Sequence, residues 1–178
     1  GQIAPALQAA FPPLAGFLPT AVFFGVFAGL AVKIPVFPLH TWLPSAYAEA
    51  PAPVTMLLTG VMSKMGIYGM IRILLPVFPA EVRAYSGLLL ALAIATIVLS
   101  ALAALRQTDL KRILAYSSIN HVGYCVLGLI ALMCAPAGLQ GLRESSGILG
   151  GVLLQVFNHG IIAGALFFLF GVLERSSG

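Results

Sequence analysis

Lys33 and Lys64 stand in stretches that hold almost nothing else charged. Lys33 ends the apolar run 17–32, and Lys64 lies in the middle of another, 54–75. An ammonium group in hydrocarbon is costly, so intramembrane lysines face a bundle interior or a wet path and mark ion or proton routes. Lysine also exchanges its proton readily when its surroundings change. His121 and His159 lie in further apolar runs. An imidazole titrates near neutral pH and can pass a proton through either ring nitrogen. These four side chains have the chemistry of proton carriers. The plainer alternatives are a Lys33 that snorkels to an interface, a Lys64 that pairs with a buried carboxylate, and histidines that are only satisfied hydrogen-bond partners.

Spacing adds supporting candidates. Lys64, Tyr68 and Arg72 step by four. Ser117, His121 and Tyr124 fall at i, i+4 and i+7, and Gln155 and His159 are four apart, with Asn158 beside them. On helices each set makes one polar stripe. Stripes turned toward one another would form a hydrated seam. Glu49 is the carboxylate nearest in sequence to either lysine, and reads as a salt partner or a loop acid. His40 and Trp42 read as interfacial anchors or as the lining of a joint. Arg72 reads as an anchor. Lys111 and Arg112 read as topology determinants in a solvated connection, where removing Lys111 should cost little.

The elements that must position these groups are membrane spans. Hydrophobic residues are 60% and charged residues 8% of the 178, and mean hydropathy is +1.05; soluble domains carry about a quarter charged residues. The net charge of +4 is explained by membrane loops and gives no reason to expect nucleic acid. The two cysteines, Cys125 and Cys134, offer neither metal spacing nor a disulfide framework, and no metal ligand set is expected. The chain opens on Gly1 and reads as a segment of something longer.

These features point to an all-α, polytopic transmembrane bundle, with about five spans in one membrane domain, 1–178. They are expected at 17–34 plus 39–48, 53–75, 85–105, 110–133 and 148–173. Pro35, Pro38 and Pro44 come closely after Lys33. Proline cannot close the bond to the carbonyl four residues back, so the first span is expected to break at Pro35 and Pro38, freeing the carbonyls of Ala31, Ile34 and His40. Lys33 then ends a half-helix, where the helix dipole favours a positive charge and burial opposes it. Residues 134–147 read as a surface loop. Arg106, Lys111 and Arg112 against Asp109 make the densest basic connection, which the positive-inside rule places on the cytoplasmic side.

Several motifs carry a family resemblance. They are Val32-Lys33-Ile34-Pro35, Phe37-Pro38-Leu39-His40-Thr41-Trp42-Leu43-Pro44, Ala48-Glu49-Ala50-Pro51, Ser63-Lys64-Met65-Gly66-Ile67-Tyr68-Gly69, Thr108-Asp109-Leu110-Lys111-Arg112, Ser117-Ser118-Ile119-Asn120-His121 and Phe157-Asn158-His159-Gly160. Together they resemble the antiporter-like membrane subunits of proton-pumping NADH:quinone oxidoreductase, complex I, and most closely the mitochondrial subunit 4 class. The resemblance implies a larger inverted-repeat bundle, of which this chain matches the middle. It implies Lys33 as the lysine at the break of the seventh helix, Lys64 as that of the eighth, and His121 and His159 on the wet axis. It implies other complex I membrane subunits as partners, neighbouring antiporter-like ones included, in a bacterial cytoplasmic membrane or an equivalent energy-coupling membrane. Flavin, iron–sulfur clusters and quinone are expected on partner subunits, with no cofactor and no redox centre in this chain. Ser45 departs from the family's acid at that position, which weakens a salt partner near the joint. Subunits of Mrp-type Na+/H+ antiporters and membrane-bound hydrogenases share the lysines and the breaks. A non-conducting scaffold is the reading of a different class, and buried polar stripes argue against it.

Overall fold

The computed structural model describes residues 17–135 and 139–177, so an expected start of the first span near Pro13 lies outside the described residues. Among the described residues every regular element is helical. Four helices are long and apolar enough to cross a membrane, and a fifth apolar helix is shorter. With two short connecting helices, α2 and α4, the order is α1 Leu18–Lys33, α2 Trp42–Glu49, α3 Ala52–Val77, α4 Pro79–Ala84, α5 Ser86–Leu105, α6 Leu110–Cys134 and α7 Leu139–Ser177. The expected loop at 134–147 is helical from Leu139 onward. Leu139, Gln140, Leu142, Arg143 and Glu144 are good helix formers and outweigh the two flanking glycines.

Local chemistry sets the boundaries. Pro53 sits in the first turn of α3, where its missing N–H costs nothing. Asp109 caps α6 by accepting the Lys111 backbone N–H at 2.9 Å. Lys33 is the last residue of α1, and turns occupy 34–41 before α2. The joint satisfies more of its backbone than the prolines alone suggest. Ala31 O accepts from Val36 N at 2.9 Å, one residue beyond helical register, and His40 O accepts from Leu43 N at 3.2 Å. Two of the three carbonyls expected free are therefore occupied. The Trp42 indole donates to Val32 O at 3.1 Å. Phe37 N–H is met from another span, by Thr96 Oγ1 of α5 at 2.9 Å. Irregular backbone at membrane depth needs such protein partners.

Packing follows close approach rather than a hydrophobic drive, since lipid is as apolar as leucine. A Cβ on Gly66 of α3 would stand 2.4 Å from Ile34 Cγ1, and one on Gly69 would stand 2.7 Å from Leu30 Cδ2. Glycine at both places lets the end of α1 lie against α3. α6 is the central post, with Ile119, Val122, Val126, Leu129 and Ile130 buried and α5, α7 and α2 around it. Asn120 Nδ2 ties it to Ile97 O of α5 at 2.7 Å.

Lys111 is not in a solvated connection. It lies in the first turn of α6 and is 8% exposed. Its ammonium meets Glu174 Oε1 of α7 at 2.9 Å and lies 5.1 Å above the Phe170 ring. The helix begins two residues after Thr108, early enough to carry Lys111 onto the face that α7 covers.

Both the joint and the Lys111 pair can be tested by substitution. Thr96→Val removes the acceptor of a buried N–H, at a cost of about 1–3 kcal/mol; hydrogen exchange at the Phe37 amide should accelerate selectively, and unchanged protection would mean the joint is held otherwise. Lys111→Ala should lower the amount of folded protein in the membrane by more than Arg112→Ala. The Arg112–Asp109 pair, 3.8 Å apart and half exposed, is worth roughly 0–1 kcal/mol. Equal amounts of the two variants would contradict a structural role for the Lys111 pair.

Candidate functional site

Lys64 lies just after an irregular turn. Leu58–Met62 of α3 winds more widely than an α-helix, with i→i+5 bonding, and Met70–Leu74 does the same further on. Single wide turns of this kind recur at functional sites. The wide turn brings residues five apart onto one side. The Lys64 ammonium therefore donates to Thr59 O, and also to Ser63 Oγ at 3.2 Å. Ser63 Oγ donates to the same carbonyl at 3.1 Å. A lysine held by backbone carbonyl is one way to keep an ammonium inside a membrane.

The wide turns add to the expected stripe at one end and end it at the other. Thr59 and Ser63, both buried, stand with Lys64. Ser63–Gly69, between the two wide turns, is regular, so Tyr68 keeps its step of four from Lys64, though it is 64% exposed. Arg72 falls inside the second wide turn and is exposed. Tyr68 lies with Lys64 along a cavity of about 750 Å³ between α3 and α7.

The histidines meet across α6 and α7. The His121 and His159 ring centroids are 4.9 Å apart, with planes 37° apart. Gln155 Nε2 lies 3.0 Å from His121 Nδ1. With the amide nitrogen donating, Nδ1 accepts and the neutral ring carries its proton on Nε2. His159 Nε2 is buried with no hydrogen-bond partner among the described residues. Gly160, the next residue, brings α7 onto α3: a Cβ there would stand 3.1 Å from Gly60 O and 3.6 Å from Lys64 Cε. The lysine stem thus lies one residue from His159.

Lys33 is half-buried at the joint. A cavity of about 20 Å³ lies between it and Ser63, walled by Trp42, Leu43, Leu58 and Met62. That is room for about one water. Lys33 and Ser63 thus line one small cavity.

The other candidates divide. Gln155 joins the histidines directly, and Tyr124 lines the cavity of about 420 Å³ beside His121 while remaining 51% exposed. His40 stays in the joint with Pro35 and Pro38, its ring 5.7 Å from Phe37. Asn158 is exposed. Glu49 is exposed and pairs with neither lysine among the described residues, whose ion pairs are Lys111–Glu174 and Arg112–Asp109. Glu49 is the last residue of α2. On α6 the hydroxyl that reaches another span is Ser118 rather than Ser117: Thr59 Oγ1 and Ser118 Oγ are 3.2 Å apart. Ser63 and Ser118 stand in the motifs quoted above but with no role drawn from them, Thr59 carries no mark beyond a hydroxyl in an apolar run, and only the wide turn connects Thr59 to Lys64.

Comparison with known proteins agrees with this architecture. The family described as "NADH:quinone oxidoreductase/Mrp antiporter, TM" matches residues 13–177. NAD(P)H-quinone oxidoreductase chain 4 2 of Thermosynechococcus vestitus is 46% identical over 161 residues, which is 90% of this chain and 27% of that one. NADH-quinone oxidoreductase subunit M of Rhodobacter capsulatus is 39% identical over 160 residues, 90% of this chain and 29% of that one. Among solved structures, a chain of respiratory complex I from Thermus thermophilus superposes with a TM-score of 0.74 at 32% identity, over 88% of this chain and 31% of that one. A chain of the Mrp complex from Dietzia sp. DQ12-45-1b gives 0.69 at 29% identity, over 90% and 27%. The chain thus spans between a quarter and a third of the length of these relatives. It is an integral membrane protein and belongs to the NADH:quinone oxidoreductase/Mrp antiporter transmembrane family.

Proposed function

We propose that this chain is the middle part of an antiporter-like subunit of NADH:quinone oxidoreductase, and that Lys33, Lys64, His159 and His121 carry a proton through it. The observation behind this reading is convergence. Lys33 shares a small cavity with Ser63, Ser63 accepts from Lys64, the Lys64 stem lies against Gly160 next to His159, and the His159 and His121 rings are 4.9 Å apart; these links support the reading. A scaffold gains nothing from keeping an ammonium and two imidazoles together there.

The order of transfer comes from the contacts. A proton leaves Lys33 through the small cavity toward Ser63 and the Lys64 amine. Lys64 holds it against Thr59 O and Ser63 Oγ. His159 and His121 hand the proton on, with Gln155 holding the His121 ring in one orientation. The energy comes from redox chemistry in partner subunits, which carry the flavin, the iron–sulfur clusters and the quinone site. The membrane is the bacterial cytoplasmic membrane or its energy-coupling equivalent, with the α5–α6 connection inside. Partners are the other membrane subunits of the complex, including neighbouring antiporter-like ones, and the lipid bilayer.

A sister complex is the second reading, supported by the Mrp likeness and by a chain of a membrane-bound sulfane sulfur reductase, TM-score 0.73 at 31% identity. Copurifying subunits decide between them: flavin and iron–sulfur subunits mark complex I, and small membrane partners alone mark an Mrp-type antiporter.

Lys33→Ala in the intact complex should depress NADH:quinone activity and proton pumping together, by about tenfold or more, with the complex still assembled. Lys33→Arg should also be impaired, because a guanidinium scarcely releases its proton. Both rates are measured in reconstituted vesicles. Normal pumping by Lys33→Ala would defeat the proposal.

A further inference from the structure

Thr59 and Ser118 are fully or almost fully buried, at 0% and 4% exposure. Their hydroxyls meet at 3.2 Å between α3 and α6. Their chain neighbours Leu58 and Ile119 belong to one apolar cluster with Leu43, Tyr47, Ala115 and Phe167. A hydroxyl in such surroundings is costly unless it is paired, and a paired one is directional. Hydrophobic packing alone would not fix where α3 stands against α6 at this level; the hydroxyl pair does.

Thr59 also holds Lys64, through its carbonyl. It lies in the wide turn Leu58–Met62, where the usual i→i+4 ladder is interrupted and the backbone is least constrained. Ser118 lies one helical turn before His121 on α6. One cross-brace thus joins the residue that presents the acceptor to Lys64 with the helix that presents His121. Tyr47 of α2 adds a third, wholly buried hydroxyl beside Thr59. The brace therefore also borders the helix that comes after the break.

We infer that Thr59 and Ser118 are positioning residues, whose hydroxyl pair sets the distance from Lys64 to the histidines and so the rate of proton transfer between them. The inference rests on the proposed proton path. It gives the two hydroxyls no proton to carry. Their work is to hold Thr59 O and His121 in one geometry.

The test uses the intact complex in vesicles, with assembly and pumping measured for each variant. Thr59→Val keeps the shape and removes the hydroxyl; it should lower pumping about tenfold at normal assembly, the scale of one lost hydrogen bond between charged-site neighbours. Thr59→Ser should restore pumping to within about twofold, because it restores the bond. Ser118→Ala should match Thr59→Val, and the double variant should be no worse than either single one, as expected for two ends of one interaction. Lys64→Ala is the control for the path itself. Loss of pumping in Lys64→Ala with normal pumping in Thr59→Val and Ser118→Ala would overturn the inference alone. Normal pumping in Lys64→Ala would overturn the path. Additive losses, failure of Thr59→Ser to rescue, or failure of both single variants to assemble would each show a merely structural pair and overturn the inference.

Discussion

The arrangement turns on one ammonium group kept inside a membrane. Lys64 lies in a 26-residue apolar helix and has no carboxylate partner among the described residues. Its charge is met by Thr59 O, a carbonyl of its own helix that the wide turn exposes, and by Ser63 Oγ. A regular α-helix would keep that carbonyl occupied by its own ladder. The irregular turn gives up backbone regularity for a cation cradle, and the charge stays movable because the cradle is made of dipoles rather than of an opposite charge.

Three close helix approaches surround the cradle. Gly66 and Gly69 let the end of α1 close on α3, which sets Lys33 within one small cavity of Ser63. Gly160 lets α7 close on the other side and brings His159 beside the lysine stem. α6 stands between them and supplies His121 and Ser118. The joint after Lys33 is tolerated in hydrocarbon because its polar backbone groups find partners on α2 and α5. The exposed apolar surface needs no such explanation, since lipid and neighbouring protein are equally good solvents for it.

Much of the architecture was legible in the chain. Runs of apolar residues bounded by proline, and by the Arg106–Arg112 cluster, announce an all-helical membrane bundle, and three prolines after Lys33 announce the break. The features that escaped depend on helix phase or on partners distant in sequence. Counting by four found Tyr68, which shares a cavity with Lys64, but missed Thr59, which only the wide turn Leu58–Met62 brings to the ammonium. Lys111 looked like a loop charge because Glu174 lies far along the chain. Glu49 looked like a salt partner because nearness in sequence stood in for nearness in space. Phe37 found its acceptor on Thr96, which no local pattern links to it. Composition and punctuation are local and can be read; register and long-range pairing are set by packing.

The central claim is that these side chains form one connected path. Its most direct test is a map of the intact complex at a resolution that shows ordered water. The expected result is a file of water oxygens within hydrogen-bond reach of one another, joining Lys33 to Ser63 and Lys64 and then to His159 and His121. A dry apolar barrier between Lys33 and Lys64, or a file of water that bypasses both imidazoles, would contradict it.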